Sequence, residues 1–294
     1  MAGTSNLPFE VPEVDFTRYS NRQLAALPLA VLGVAILVIV GWYLLHGTPV
    51  AKGIEFTGGT ELQVHPGTPL TKAQFQQHFD QEITSTREIR ATGDYVLIFQ
   101  SSNSDTIQSQ AVSAFGQENV KSVQSVAASF GVESQTRAVV GVVMAFLGMS
   151  VVVFLLFRTF VPSIAVVLSA FSDIVIPIAL MDVFGIKLSL GTVAALLMLI
   201  GYSVDSDILL TNHVLRRSGG FYESAYRAMR TGVTMTTTSL SAMAVMAFVA
   251  YLFGIQLLTS IGIILVFGLA ADLMNTYLLN LSLLRWYKYE GVAR

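Results

Sequence analysis

The sequence predicts an α-helical membrane protein with six transmembrane helices, one before and five after a polar α+β domain. Hydrophobic residues make up 53% of its 294 residues and charged residues only 12%, whereas about a quarter of an average soluble domain is charged. Predominantly apolar segments of about 20 residues, the length that a helix needs to cross the hydrocarbon core, recur along the chain. They flank one polar region at about residues 47–136.

Composition also excludes several kinds of function. The formal net charge of −2 gives no basic field, so we expect no nucleic-acid partner. Without cysteine the chain has no disulfide, thiolate zinc site or cysteine nucleophile. It lacks the P-loop pattern that cradles ATP phosphates, and His65 and His78 in the polar region are isolated. We therefore expect no enzyme activity, no cofactor and no metal.

The first apolar segment, residues 24–46, contains no Asp, Glu, Lys or Arg. It is too long for the core of a signal peptide and no small-residue cleavage site follows, so we interpret it as a retained anchor. Further apolar segments lie at about 138–157, 161–181, 188–212, 232–253 and 256–284. The predicted division is a tail at 1–23, the first helix at 24–46, the polar domain at 47–136, five helices within 137–285 and a tail at 286–294.

The short loops carry a strong charge asymmetry. With the N-terminus inside, the inner segments hold ten Lys and Arg residues and the short outer turns hold only Lys187. Lys and Arg concentrate in cytoplasmic loops, so we expect a protein of the cell membrane with cytoplasmic termini and residues 47–136 outside. The ten residues are Arg18, Arg22, Arg158, Arg216, Arg217, Arg227, Arg230, Arg285, Lys288 and Arg294.

The polar region has the pattern of a small two-layer domain. Gly93-Asp94 marks a hairpin between two short alternating segments, and Thr71 is placed to cap a helix. The predicted elements are a strand at 60–64, a helix at 71–82, strands at 88–91 and 95–100, a helix at 105–115 and a strand at 121–127. This βαββαβ order is that of the ferredoxin-like fold.

Ionisable residues lie within the apolar segments, where they are costly and usually face a bundle interior or a water-filled path. They are Asp173, Asp205, Asp207 and Asp272, with Arg230 at the inner end of the fifth helix. Asp205 and Asp207 are about 200° apart around a helix, so they point in different directions.

Polar neighbours accompany these residues on the helix faces. Asp205 shares its face with Tyr202 and Asn212, and we expect it to be buried and to titrate. Asp207 shares its face with Ser203 and Thr211, and Arg230 shares its side with Thr234 and Thr237.

Two interpretations of this set stay open. A carboxylate and a cation on successive helices are typical of proton relays. The alternative is that all four residues have structural roles. Asp207 would reach interfacial water and Arg230 would extend to the membrane surface. Asp173 would form hydrogen bonds with backbone groups that Pro177 leaves without a helical partner, and Asp272 would accept a hydrogen bond from another helix.

Four motifs in order resemble the SecF family of protein-export membrane proteins, within the RND superfamily. Residues 53–60, GIEFTGGT, contain Gly58, Gly59 and Thr60 and resemble the family element that follows the first helix. Asp173-Ile174 resembles an Asp-Val or Asp-Ile pair of the third helix. Residues 199–208, LIGYSVDSDI, contain Gly201 and Tyr202, and Arg230-Thr231 with the following threonines resembles R-T-x-x-T-S-x-T-T.

The chain departs from the bacterial pattern at one point. Asp205-Ser206-Asp207 stands where bacterial SecF commonly has Asn-Asp-Thr, and Asp205 aligns with an aspartate of the partner SecD. The chain therefore carries an acidic residue that SecD usually supplies, or it reflects a lineage variant. Short loops and a chain separate from SecD are typical of archaeal members.

The resemblance implies an accessory subunit of the Sec machinery. Its implied partners are SecD, a SecYE-type translocon and exported polypeptides, and it implies use of the proton gradient in late translocation. In the family, the arginine that matches Arg230 and the SecD aspartate that aligns with Asp205 are implicated in proton flow. Together with the polar residues of the helix faces, this makes the candidates for proton coupling Asp205, Asp207, Arg230, Asp173, Thr234 and Thr237. Two alternatives remain: a non-coupled scaffold or chaperone of the translocon, and an exporter of lipids or small molecules.

Overall fold

The computed structural model describes residues 16–89, 92–216 and 220–289. Over these residues six helical spans are long and apolar enough to cross a membrane, which confirms the predicted number. The helices are α1 (Asn21–His46), α2 (Ile54–Thr57), α3 (Lys72–Gln76), α4 (Ser104–Phe115), α5 (Ala128–Phe157), α6 (Phe160–Phe184), α7 (Leu190–Arg216), α8 (Phe221–Leu252), α9 (Gln256–Met274) and α10 (Leu281–Tyr289). A π-helical segment, Asn275–Asn280, joins α9 to α10, so that these three elements make the sixth span.

Some sequence predictions fall on residues outside this description. They include most of the predicted N-terminal tail, the end of the C-terminal tail with Arg294, the loop residue Arg217, and Ala91 of a predicted strand. The predicted tails also overlap helices, since α1 begins at Asn21 and α10 continues to Tyr289.

Local chemistry sets the start and the end of α1. Ser20 Oγ accepts a hydrogen bond from the Gln23 amide (3.3 Å), and Gln23 Oε1 accepts one from the Ser20 amide (2.9 Å). This reciprocal pair is a capping box, which satisfies backbone donors that a helix start leaves free. Gly47 ends the helix in the left-handed conformation (φ 72°), which glycine adopts without steric cost.

The polar domain contains four strands, β1 (Gly59–Val64), β2 (Ile83–Ile89), β3 (Asp94–Phe99) and β4 (Val120–Val126). They form one antiparallel sheet in the order β2-β3-β1-β4. With α3 and α4 this gives the βαββαβ order predicted from the sequence, and the fold class is confirmed. The core between sheet and helices contains Leu62, Phe75, Leu97, Phe99 and Ile107, all fully buried.

Two boundaries differ from the sequence prediction. Helix α3 ends at Gln76 instead of continuing to residue 82, and β2 begins at Ile83 instead of residue 88. The Gln76 side chain explains both, because its Nε2 donates to the Gln81 carbonyl (2.8 Å) and its Oε1 accepts from the Ile83 amide (2.8 Å). These bonds satisfy the backbone of a turn at the place where a longer helix was expected.

The polar domain packs directly on one end of the helical bundle. The Gly53 amide donates to the Leu188 carbonyl (2.8 Å), and the Leu188 amide donates to the Ala51 carbonyl (2.7 Å). Glu55 accepts a hydrogen bond from the Leu190 amide. The α6–α7 connection is thus joined to the segment that enters the polar domain.

Burial differs strongly among the six spans. About 67% of the residues in the most apolar stretch of α6 and 56% of those in α7 are buried, against 6% in α5 and 17% in α8. Helices α6 and α7 therefore form the centre of the bundle, and the polar residues that they carry meet α9 and the π-helical segment there.

Candidate functional site

Three aspartates from three helices lie together in the centre of the bundle. Asp173 of α6 and Asp207 of α7 are fully buried, and Asp272 of α9 is 1% exposed. We call these three residues the aspartate cluster. Asp173 accepts hydrogen bonds from Ser203 Oγ (2.5 Å) and Asn275 Nδ2 (2.5 Å), so both of its carboxylate oxygens have a donor.

Hydroxyl groups connect the other two members of the cluster. Thr276 Oγ1 lies 2.8 Å from Asp207 Oδ1 and 3.1 Å from Asp272 Oδ1. Ser206 Oγ lies 2.7 Å from the same Asp272 oxygen. Asn280 Nδ2 donates to Asp207 Oδ1 (2.8 Å). The two carboxyl groups therefore share Thr276 as a neighbour without an intervening cation.

The π-helical segment supplies most of these polar neighbours. Asn275, Thr276 and Asn280 are all fully buried. In a π-helix residues five apart lie one above the other, and such segments occur frequently at functional sites. Asn275 and Asn280 consequently project to the same side, where they donate to Asp173 and Asp207.

The aspartate cluster has spare hydrogen-bonding capacity and no counter-charge. None of the ion pairs formed by the described residues includes one of the three aspartates. Four buried oxygens of the site have no hydrogen-bond partner: Asp207 Oδ2, Asp272 Oδ2, Asn275 Oδ1 and Asn280 Oδ1. Buried carboxylates without a cation favour the neutral, protonated form, so this arrangement is suited to hold protons.

Asp205 lies on a different side of α7 from Asp207. It is exposed in this chain together with Tyr202 and Asn212, so the expectation that Asp205 is buried within its own bundle is wrong. Asp205 lines a cavity of about 120 Å³ between α7 and α8, and no helix of the described residues covers it there. Polar residues of its wall are Tyr202, Asp205, Ser206, Thr236 and Ser239.

Arg230, Thr234 and Thr237 are exposed on α8. The Thr234 hydroxyl donates to the Arg230 carbonyl of its own helix (2.8 Å). No ion pair among residues 16–89, 92–216 and 220–289 joins Arg230 to an aspartate. The structure thus brings Asp173 and Asp207 together, but it leaves Asp205, Arg230 and the two threonines on an outer face.

The glycine motif has a structural role at the entry to the polar domain. Gly58 (φ 75°) and Gly59 (φ 130°) adopt conformations that only glycine enters readily, and a Cβ on Gly58 would lie 2.7 Å from Ala128 Cα. Thr60 is fully buried and donates to the Ser101 carbonyl (2.8 Å). Gly201, by contrast, has open space where a Cβ would stand.

Sequence reasoning missed four members of the site, namely Ser206, Asn275, Thr276 and Asn280, and it did not place Asp272 among the coupling residues. A signal was present, because Asp272, Asn275, Thr276 and Asn280 form a run of polar residues in an otherwise apolar span. Their common direction depends on the π-helical geometry, which the hydropathy pattern does not show.

The six spans, the packed ferredoxin-like domain and the buried polar site define a multi-pass membrane protein. The family described as protein export membrane protein SecD/SecF, C-terminal, matches residues 106–290. The protein-export membrane protein SecF of Haloferax volcanii is 63% identical over 286 residues, which cover 97% of this chain and 99% of that protein. The SecF of Pyrococcus furiosus is 39% identical and covers 96% of this chain and 99% of that protein. The chain belongs to the SecF family, and these relatives are archaeal.

A solved structure has the same fold. The crystal structure of SecDF, a translocon-associated membrane protein from Thermus thermophilus, matches 94% of this chain with a TM-score of 0.73 and 17% sequence identity. The chain spans 39% of the length of that SecDF chain. At this identity the match shows the fold alone.

Proposed function

We propose that this protein is an accessory subunit of the Sec protein-export machinery which, together with SecD, uses the proton gradient to promote late translocation. The aspartate cluster carries the proposal of gradient use. Three buried carboxyl groups without a cation are costly in a membrane, and a scaffold has no need of them. A site that takes up and releases protons gives them a function.

The pairing with SecD is supported by the exposed polar face of α7 and α8. Asp205 and Asn212 on α7 and Arg230 on α8 are exposed in the single chain, although the surrounding segments are apolar. Ionisable residues in spans rarely face lipid, so a second membrane subunit is expected to cover this face. The similarity of this chain to part of a longer SecDF chain agrees with such a partner.

The orientation with cytoplasmic termini follows from the distribution of Lys and Arg. Of the cations on the described residues, Arg216 lies at the end of α7, Arg227 lies in the first turns of α8, and Arg285 lies in α10. All three occur at the bundle end opposite the polar domain, which packs on the Leu188 side. By the positive-inside tendency the polar domain is extracytoplasmic, on the side where exported chains emerge.

The experiment is gradient-dependent export into vesicles that contain SecD, the translocon and either the wild-type chain or a variant. We expect Asp207→Asn to abolish the stimulation by a proton gradient and to leave gradient-independent export unchanged, because asparagine keeps the size but does not titrate. Asp205→Asn tests the exposed carboxylate in the same assay, and Glu82→Gln is the control because Glu82 is an exposed carboxylate of the polar domain. Full gradient dependence in both aspartate variants would show that this subunit does not carry the proton-linked acid, whereas wild-type export that does not respond to the gradient would favour the non-coupled scaffold.

A further inference from the structure

We propose that Asp207 and Asp272 share one exchangeable proton through the Thr276 hydroxyl, at a site contained within this subunit. The site is distinct from the exposed face of Asp205 and Arg230, and it adds Asp272 and Thr276 to the residues that handle protons. The site can hold this proton whether or not the function proposed above is correct. Only the use of the proton in export rests on that proposed function.

Counting protons leads to this assignment. Oxygen–oxygen contacts at the site are Thr276 Oγ1 to Asp207 Oδ1 (2.8 Å), Thr276 Oγ1 to Asp272 Oδ1 (3.1 Å) and Ser206 Oγ to Asp272 Oδ1 (2.7 Å). Ser206 Oγ also lies 2.9 Å from the Ser203 carbonyl and 3.2 Å from Thr276 Oγ1. A hydroxyl brings one donor proton, so the two hydroxyls donate in at most two of these five contacts. A proton on the Asp272 carboxyl group supplies a third donor, towards Thr276 or Ser206.

Charge leads to the same conclusion. The titratable groups that face the pair are Asp173 on α6 and the Tyr277 hydroxyl on the π-helical segment, and neither is a cation. Helix α1 presents apolar Leu32 and Ala35 to this region. On α8 Arg230 is exposed, and on α10 Arg285 donates to the Phe16 and Tyr19 carbonyls. Two carboxyl groups in such surroundings do not both ionise.

The contact distances are those of hydrogen bonds. The oxygens lie 2.7–3.1 Å apart, within the range in which one oxygen donates a proton to another. Each short contact therefore has a place for one proton.

The shared hydroxyl allows the proton to move without creating charge on threonine. The Asp272 O–H gives its proton to Thr276 Oγ1 while Thr276 gives its own proton to Asp207 Oδ1. The O–H bond of Asp272 breaks and one on Asp207 forms, so Asp272 becomes the carboxylate and Asp207 the acid. Thr276 ends as a neutral hydroxyl.

Ser206 provides the connection to water. Its hydroxyl contacts Asp272 and it also lines the cavity of about 120 Å³ beside Asp205. At roughly 30 Å³ for each water, this space is large enough for a few molecules, and Tyr202, Thr236 and Ser239 offer them polar partners. Protons from the exposed face therefore reach the pair through one hydroxyl.

Infrared spectroscopy of the purified full-length chain tests the proposal directly. The wild type should show, at neutral pH, a C=O stretching band of a protonated carboxylic acid that shifts in D₂O. We expect Asp272→Asn and Asp207→Asn each to remove or displace this band, whereas Glu82→Gln leaves it unchanged. A wild-type spectrum without such a band, or a band that neither aspartate variant affects, overturns the proposal.

Thr276 is a positioning residue and needs its own variants. Thr276→Val removes the hydroxyl at nearly constant volume and should shift the pH midpoint of the acid band, while Thr276→Ser should restore the wild-type midpoint. Equal midpoints in all three proteins overturn proton sharing through this hydroxyl. The infrared spectra are recorded without export, so the acid band and the gradient dependence of export are independent measurements. A normal acid band together with export that does not depend on the gradient contradicts only the proposed function.

Discussion

Asp94 of the polar domain shows how a single buried carboxylate is stabilised where donors surround it. It is 6% exposed and accepts hydrogen bonds from Gln63 Nε2 (3.0 Å) and His65 Nδ1 (2.9 Å). Burial by itself raises the pKa of Asp94, but hydrogen bonds with Thr92, Gln63 and His65 outweigh it and hold the pKa below the ordinary value of 3.8. The ionised form thus stabilises the folded domain.

The sign of the pH effect follows from this lowered pKa. The stabilisation by Asp94 is fully present above its unfolded pKa near 3.8 and is lost as the pH falls through the lower folded pKa. We expect Asp94→Asn to lower the free energy of unfolding of the polar domain by about 1–2 kcal/mol at pH 7, and the difference to shrink below pH 3.8. Hydrogen–deuterium exchange of β3 amides at both pH values measures this. An equal difference at both would contradict it, and Glu82→Gln should change neither.

Gly59 offers a second test at the level of one residue. Its φ of 130° is a conformation that alanine does not readily adopt, and its missing Cβ faces the Phe99 carbonyl of the neighbouring strand. Gly59→Ala should destabilise the polar domain by more than ~3 kcal/mol, from strain and overlap together. Gly67→Ala is the matched control, because Gly67 also has a positive φ (72°) but open space around it, and it should cost only about 1 kcal/mol. Equal exchange rates of β1 amides in the two variants would refute the close approach.

At the scale of elements, hydropathy and turn chemistry predict the spans and the βαββαβ domain because each depends on nearby residues. The run of apolar residues from 24 to 45 specifies a helix whatever surrounds it. The meeting of Asp173, Asp207 and Asp272 is different, since it depends on the rotation of three helices around each other. The π-helical segment that brings Thr276 between two of them changes that rotation locally, and no local pattern specifies it. Exposure of Asp205 likewise depends on what packs beside α7.

Engineered cysteines test the join between the polar domain and the α6–α7 connection. The natural chain has no cysteine, so a single pair gives an unambiguous result. A Cβ on Gly53 would lie 3.9 Å from Lys187 Cβ, within the 3.5–4.5 Å of disulfides. We expect Gly53→Cys with Lys187→Cys to form an intramolecular disulfide under mild oxidation, seen as a gel shift that reductant reverses. Gly67→Cys with Lys187→Cys is the control and should not cross-link, because a Cβ at Gly67 would have open space around it. Equal cross-linking of both pairs would contradict the observed packing.

At the scale of the whole molecule, polar groups are divided between two places in the membrane part. The aspartate cluster is enclosed by α6, α7, α9 and the π-helical segment, while Asp205 and Arg230 lie on an outer face. The cavity between α7 and α8 adjoins the outer face through Asp205 and the aspartate cluster through Ser206, because both residues contribute to its wall. Under the two proposals above, the aspartate cluster holds the exchangeable proton and the outer face contacts the partner subunit.

Arg230 tests whether that outer face is needed for function or serves only to fix the orientation of the chain. Arg230→Ala should leave the topology unchanged, because Arg216 and Arg227 remain at the same end of the bundle and the orientation depends on the sum of such charges. We expect the gradient-dependent export of the Arg230→Ala protein with SecD to be on the order of tenfold lower than that of the wild type, which corresponds to about 1.4 kcal/mol of coupling. Arg227→Ala is the matched control: Arg227 is an exposed arginine of the same helix that pairs with Glu223 one turn away (2.6 Å), so its loss should leave export nearly unchanged. Reporter tags at both termini and in the polar domain measure topology in the same membranes. Normal export by Arg230→Ala would show that this arginine only anchors the helix at the membrane surface. Inverted topology would show that it determines insertion. Either result would contradict a role for Arg230 in coupling.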